Sequence, residues 1–190
     1  MTDGQKRETE TVTMWTVQAP VVLETLERDG ISFVKKAYLT KKYGETDKVF
    51  RTAYDYFVRE AQKRVPKPAE AESPVWMFAD SQRPVKSPGA WLIKLKVPRE
   101  ELILFDLRSF ERILSMRPLG DTAELENELR RQGVQDPSDV FLTPFYPVLR
   151  EKIRGTWSLL FEEGAPEEDT YTEGAAWCLK EEWIEEKNHL

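Results

Sequence analysis

The run Met14-Trp15-Thr16-Val17-Gln18 reads as a β-strand that stops at Pro20 and feeds directly into a helix. Val21, Val22, Leu23 and Leu26 give that helix an apolar face, and Gly30 stands where a left-handed closing residue is expected. A chain that opens this way needs a fold in which a helix and a strand share one core.

The remaining segments extend that reading. Phe50, Ala53, Tyr54, Phe57, Val58 and Ala61 recur at i, i+3 and i+4, so a helix follows Asp47, its N-cap, and ends before Pro66. Pro66 to Pro74 reads as a loop, and Ile31–Leu39 is ambiguous. Val75-Trp76-Met77-Phe78-Ala79 is a short apolar strand. Trp91, Ile93, Leu95 and Val97 alternate with Leu92, Lys94 and Lys96, the period of a half-buried strand, and Leu102–Phe105 continues as another. Asp106 caps a helix carrying Leu107, Phe110, Ile113 and Leu114. Asp121 with Glu124 resembles a capping box for a helix closed by Gly133. Pro147 opens a helix with Leu149, Ile153, Trp157 and Leu160 on one stripe. The last strand runs from Tyr171 to about Lys180, and Glu181–Lys187 closes as a short helix. The order β-α-α-β-β-α-α-α-β predicts a single α+β domain over residues 14–190, with a split, mixed or antiparallel sheet flanked by helices. Residues 1–13 are expected to be a disordered tail.

Composition narrows the chemistry. The chain has one His, His189, and one Cys, Cys178. A His-based triad, a Cys–His pair inside the fold and a Cys/His zinc site are therefore excluded, and no metal is expected. Any catalysis must rest on carboxylates, hydroxyls, amides and aromatics. A single cysteine, a polar start and no apolar run of membrane length point to a cytoplasmic protein with no membrane partner. The net charge of −6 hides an asymmetry: Lys35–Lys67 holds ten Lys/Arg against four Asp/Glu, and Glu162–Glu186 holds ten Asp/Glu against one Lys. The basic segment is either a solvated face or a surface for phosphate-bearing ligands or nucleic acid.

Phosphate-cradling glycine motifs and the nucleophile elbow are absent. On the last strand, alternation puts Tyr171, Glu173, Ala175, Trp177 and Leu179 on one face. Glu173 is then a carboxylate at the end of an apolar face, either at the rim in water or held in a cleft as a functional group. Cys178, among small residues on the other face, reads as packing. The six tryptophans sit on apolar stripes as core, although one or two can line a pocket for a flat ring. Gln18 either binds a ligand or satisfies local backbone groups.

Trp15-Thr16-Val17-Gln18, Ala53-Tyr54-Asp55-Tyr56, Pro74-Val75-Trp76 and Ala175-Ala176-Trp177 with Glu182-Trp183-Ile184 together resemble a bacterial family described as domain of unknown function 3841. The layout is also distantly similar to ADP-ribosyltransferases that act on nucleic acid. In that comparison Trp15-Thr16-Val17-Gln18 matches an aromatic-His-x-Thr strand leading to a helix that ends in Gly. Val75-Trp76-Met77-Phe78 matches a middle strand offering an aromatic residue, and Glu173 matches the catalytic acid that opens a late strand. Thr16 stands where His or Arg is usual, and Trp76 where Tyr or Ser is. The resemblance implies NAD as substrate in a cleft between the two halves of the sheet, with Glu173 catalytic and Trp15, Thr16, Gln18 and Trp76 binding NAD. It also implies a nucleic-acid or protein acceptor received by the Lys35–Lys67 region. The alternatives are a catalytically inert module that binds a nucleotide or peptide in the same cleft, and a nucleic-acid-binding protein acting through residues 35–67.

Overall fold

The computed structural model describes residues 10–35, 48–162 and 171–190. Among these, β1 (Thr11–Gln18) leads into α1 (Pro20–Asp29) and the two-residue β2 (Ile31–Ser32). Then come α2 (Lys48–Ala61), β3 (Val75–Phe78), β4 (Trp91–Pro98) and β5 (Ile103–Asp106). Helices α3 (Leu107–Leu114), α4 (Ala123–Arg131), α5 (Asp139–Leu142), α6 (Pro147–Thr156) and α7 (Leu159–Glu162) follow. The chain ends in β6 (Thr172–Ala176), β7 (Leu179–Lys180) and β8 (Ile184–His189). The result is one α+β domain.

A six-stranded sheet has the order β5-β6-β3-β1-β4-β8, and β2 with β7 forms a second, two-stranded sheet. Every strand pair is antiparallel. The large sheet has a core on each face. One face of β5, β6 and β3 carries Ile103, Phe105, Ala175 and Trp76 under the helices α2 to α7, with Phe57, Phe110, Leu149 and Trp157 filling between. The opposite face carries Met14, Met77, Ile93, Leu95 and Leu104 against Leu23 and Leu26 of α1, with Leu179 and Trp183 completing that layer. Among the described residues the helical layer does not extend over β1 and β4. There the same sheet face presents Thr13 and Lys96 to solvent and leaves Trp15, Val17 and Lys94 half-buried.

Several local signals act as their chemistry predicts. Gly30 adopts φ 71° and donates its N–H to Leu26 O, closing α1. The Asp106 carboxylate accepts from Ser109 N at 2.9 Å and caps α3. Gly133, at φ 75°, closes α4, with Val134 N–H reaching back to Leu129 O. Asp47, the expected cap of α2, lies outside the described residues.

Four expectations are corrected. Strand β1 begins at Thr11 and pairs with β4 from Thr11↔Pro98 onward, so Thr11–Thr13 belong to the sheet rather than to a tail. The capping box does not form: α4 starts after Thr122, which makes no side-chain cap hydrogen bond, and its hydroxyl donates to the Glu126 carboxylate while Asp121 Oδ1 accepts from Ala123 N at 3.3 Å. The last strand does not run through to Lys180. It turns at Trp177 and Cys178, so that β6 stays in the large sheet, β7 joins the small one, and Leu179 packs in the core opposite the Glu173 face rather than beside Trp177. The expected terminal helix is a single 3-10 turn, Glu181–Trp183, followed by β8. Pairing with β4 and the ion pairs of Lys94 and Lys96 with Glu185 and Glu186 override the local helix preference of that charged run.

Candidate functional site

Residues directly opposite one another in an antiparallel pair share a face, with Cβ atoms about 5 Å apart. Phe105 is opposite Glu173, Glu173 is opposite Phe78, and Phe78 is opposite Trp15. One row across β5, β6, β3 and β1 therefore reads Phe105, Glu173, Phe78, Trp15, and it continues to Lys94 on β4. Phe105 is wholly buried beneath the helices, whereas Phe78 and Trp15 are half-buried. The row crosses the line where the helical layer stops, and Glu173 stands at that edge.

Glu173 is buried to 5 % exposure, and its Oε2 has no hydrogen-bond partner. Burial is the chief reason its carboxyl is pushed up to about 8, and the negative charge of Glu111 on α3 adds to the shift. A carboxyl of this kind holds its proton at neutral pH until a cationic group arrives beside it. Trp76, one pair along from Glu173 on the same face of β3, also has an unpartnered buried polar atom, its indole Nε1. Two polar atoms left without partners on one face of neighbouring strands mark this edge as the candidate site.

The structure brings together Glu173, Trp76 and Trp15, and it separates Thr16. Thr16 is on the opposite face of β1, among Met14, Ile93 and Met77, and is buried there. Its hydroxyl donates to Trp76 O at 2.9 Å and accepts from Gln18 Nε2 at 2.8 Å. Thr16 thus ties β1 to β3, and Gln18 is its partner; neither side chain is directed at Glu173. The cause is the strand period: consecutive residues point to opposite faces, so Trp15 and Thr16 cannot both reach one cleft. Trp76 does not offer an open ring face either. Its ring stacks on Phe110 at 5.2 Å and 25°, and Tyr54, Phe57 and Phe105 surround it. What remains unmatched is its N–H, which is buried and without a partner.

Three residues near the site were not among the site residues expected from the sequence. Phe78 carries a signal, because alternation from Trp76 places it two residues on, on the same face. Tyr171 carries the same signal from Glu173. Arg83, in the β3–β4 connection, carries none: its guanidinium lies 4.2 Å from the Tyr171 ring centroid only because the two strands are neighbours. The described cations of the basic segment are engaged in local contacts away from Glu173. Lys35 pairs with Glu72, Lys63 and Arg59 pair with Glu60, and Lys67 donates to Ala71 O. Lys36, Lys41 and Lys42 lie outside the described residues. Cys178 is buried, and burial raises its thiol to about 11, which suits packing and not nucleophilic chemistry. Among the described residues no group of His, Cys, Asp and Glu could hold a metal ion, and no helix is long and apolar enough to cross a membrane.

No curated protein and no solved structure matches this chain. The sequence model of a family described as domain of unknown function (DUF3841) matches residues 13–185, from β1 through the start of β8. That span takes in every residue of the Glu173 row, and the chain belongs to the DUF3841 family.

Proposed function

We propose that this chain is an ADP-ribosyltransferase-like protein that binds NAD at the Glu173 edge of the sheet. The observation that carries the reading is the buried Glu173 carboxyl with its unpartnered Oε2, set in a row of aromatic side chains where the helical cover ends. The strands bearing the three resemblance motifs, β1, β3 and β6, are also consecutive neighbours at the centre of the sheet. A carboxyl that avoids ionising alone, beside half-buried aromatic rings, favours a flat ring bearing positive charge, because the ring restores the missing partner. The pyridinium of NAD has that character.

In this reading Trp15 and Phe78 pack on the nicotinamide, and the Trp76 N–H donates to a ligand oxygen. Glu173, ionised once the cation is beside it, accepts a hydrogen bond from the 2′-hydroxyl of the nicotinamide ribose. The bond from C1′ to the pyridinium nitrogen breaks, and nicotinamide leaves with the electron pair. The positive charge that develops on the ribose is stabilised by the carboxylate. The acceptor then forms a bond to C1′ and releases its proton to water.

Purified protein incubated with NAD and mixed nucleic-acid and protein acceptors should release nicotinamide, and Glu173→Gln should abolish release. Because the free protein must lose a proton at Glu173, kcat/KM should rise with pH through about 8 and then level. No nicotinamide release together with no NAD-dependent thermal shift overturns the reading. The inward-facing, fully hydrogen-bonded Thr16 specifically favours a second reading, a catalytically inert module that binds a nucleotide without cleaving it. A thermal shift with NAD but no release selects that one.

A further inference from the structure

Two guanidiniums lie over the ring of Tyr171: Arg83, with Cζ at 4.2 Å from the centroid, and Arg108, at 4.4 Å. They arrive from different elements, Arg83 from the β3–β4 connection and Arg108 from the first turn of α3. Arg108 is anchored by Asp106, its Nη2 at 2.6 Å from Oδ2 and its Nε donating to both carboxylate oxygens. Asp106 is in turn fixed as the cap of α3. Arg83 is half-buried and its backbone N–H is held by Asp80 O, yet its guanidinium has no carboxylate partner among the described residues. Two like charges gathered on one ring repel, and among the described residues Asp106 pairs with Arg108 but not with Arg83. A shared ring recovers only part of that repulsion. An anion between or beside the two forks removes the repulsion, and the planar guanidinium fork matches phosphate oxygens in pairs.

Position supplies the rest. Tyr171 is two residues before Glu173, a rise of about 7 Å along an extended chain, and alternation sets both side chains on one face. The strand positions that carry the buried carboxyl and the ring beneath the guanidinium pair are therefore about 7 Å apart. We propose that Arg83, braced on Tyr171 beside Arg108, is a phosphate-binding residue for a ligand of the nucleoside diphosphate class whose ring end lies at Glu173. The identity of the ring end rests on the function proposed above; the anion site does not.

Calorimetric titration with inorganic pyrophosphate and with ADP-ribose tests this on the wild type, Arg83→Ala and Arg83→Lys, with sulfate at equal ionic strength as the reference anion. Arg83→Ala should weaken both ligands at least tenfold with an unchanged melting temperature, and Arg83→Lys should recover part of the loss. The proposal is overturned if the wild type binds neither ligand, if sulfate binds as well as pyrophosphate, or if Arg83→Ala binds as the wild type does. Pyrophosphate binding that Arg83→Ala removes, without any NAD cleavage, upholds the anion site while the transferase reading fails. NAD cleavage that Glu173→Gln abolishes but whose KM is unaltered by Arg83→Ala does the reverse.

Discussion

Thr16 and Glu173 are both buried polar side chains, one strand apart from β3 on either side, and they differ in what surrounds them. Thr16 uses its hydroxyl twice, once as donor and once as acceptor, on the face packed by α1. Glu173, on the other face, keeps an oxygen without a partner and a proton it would lose in water. Leaving a buried polar group unsatisfied costs roughly 1–3 kcal/mol, and more if it is charged. A fold that needed only structure at position 173 would be more stable with an apolar residue there. The difference teaches that burial by itself does not nominate a candidate; a buried titratable group with an unmet hydrogen-bonding need, standing where the helical cover ends, does.

The largest effect expected from this comparison is in the pH dependence of stability. The folded-state carboxyl of Glu173 titrates near 8, above its ordinary value of 4.5, so between those limits the folded protein binds more protons than the unfolded chain. Its contribution is fully present below about 4.5 and is lost as pH rises to about 8. The size is on the order of 5 kcal/mol. Glu173→Gln, neutral throughout, should lack this decline and should be the more stable protein at pH 8. Urea unfolding of both proteins from pH 5 to 9 measures it. Parallel curves would mean that Glu173 is already paired in solution, and the contrast with Thr16 would disappear.

Gly174 couples the two faces. It follows Glu173 but faces the Thr16 side, where an added Cβ would be 2.7 Å from Met14 Cε and 3.0 Å from Leu102 Cδ1. Gly174→Ala should cost about 1–3 kcal/mol by overpacking. The pH slope due to Glu173 should persist in this variant, because the added methyl lies on the far face. Loss of the slope would show that the carboxyl depends on the seating of β6, and would sharpen the contrast into one of strand position rather than of face.

Much of this contrast was legible in the sequence, and the rest was not, for reasons visible in particular residues. Period-2 alternation placed Glu173, Trp177 and Tyr171 together, and glycine and aspartate signals located Gly30, Gly133 and Asp106. The same alternation separates Trp15 from Thr16, so a motif matched residue by residue along one strand carried Thr16 to the wrong face. Position along the chain also left Glu173 undecided between rim and cleft, because what buries it is the helical layer, assembled from residues 50–162. Arg83 was invisible because its partner is 88 positions away in the chain and adjacent only through the β3–β6 pairing. The terminal run after Glu181 was misread because its strand conformation comes from β4, not from its own residues.

Thr16→Val tests the satisfied half of the comparison. The substitution keeps the shape, removes the donor to Trp76 O and leaves Gln18 Nε2 without its acceptor, so stability should fall by about 1–2 kcal/mol. NAD affinity and turnover per folded molecule should not change. A loss of turnover at unchanged stability would place Thr16 in the site and contradict the packing of its side chain toward Met14 and Ile93.

The smallest expected effect discriminates most finely. Gln18 is half-buried at the end of β1, and its amide donates to Thr16 Oγ1 at 2.8 Å. In Gln18→Leu the Thr16 hydroxyl still donates to Trp76 O and loses only its second contact, so the cost should be about 0.5–1 kcal/mol, within the range of a single partly exposed hydrogen bond. If Gln18 is only the partner of Thr16, the double variant Thr16→Val/Gln18→Leu should be no less stable than Thr16→Val alone, and ligand affinity should be the same in all three. A tenfold loss of NAD affinity in Gln18→Leu, with stability within 0.5 kcal/mol of wild type, would mean that the amide leaves Thr16 to meet the ligand. The site would then wrap around the end of β1, and the two faces would be parts of one cleft.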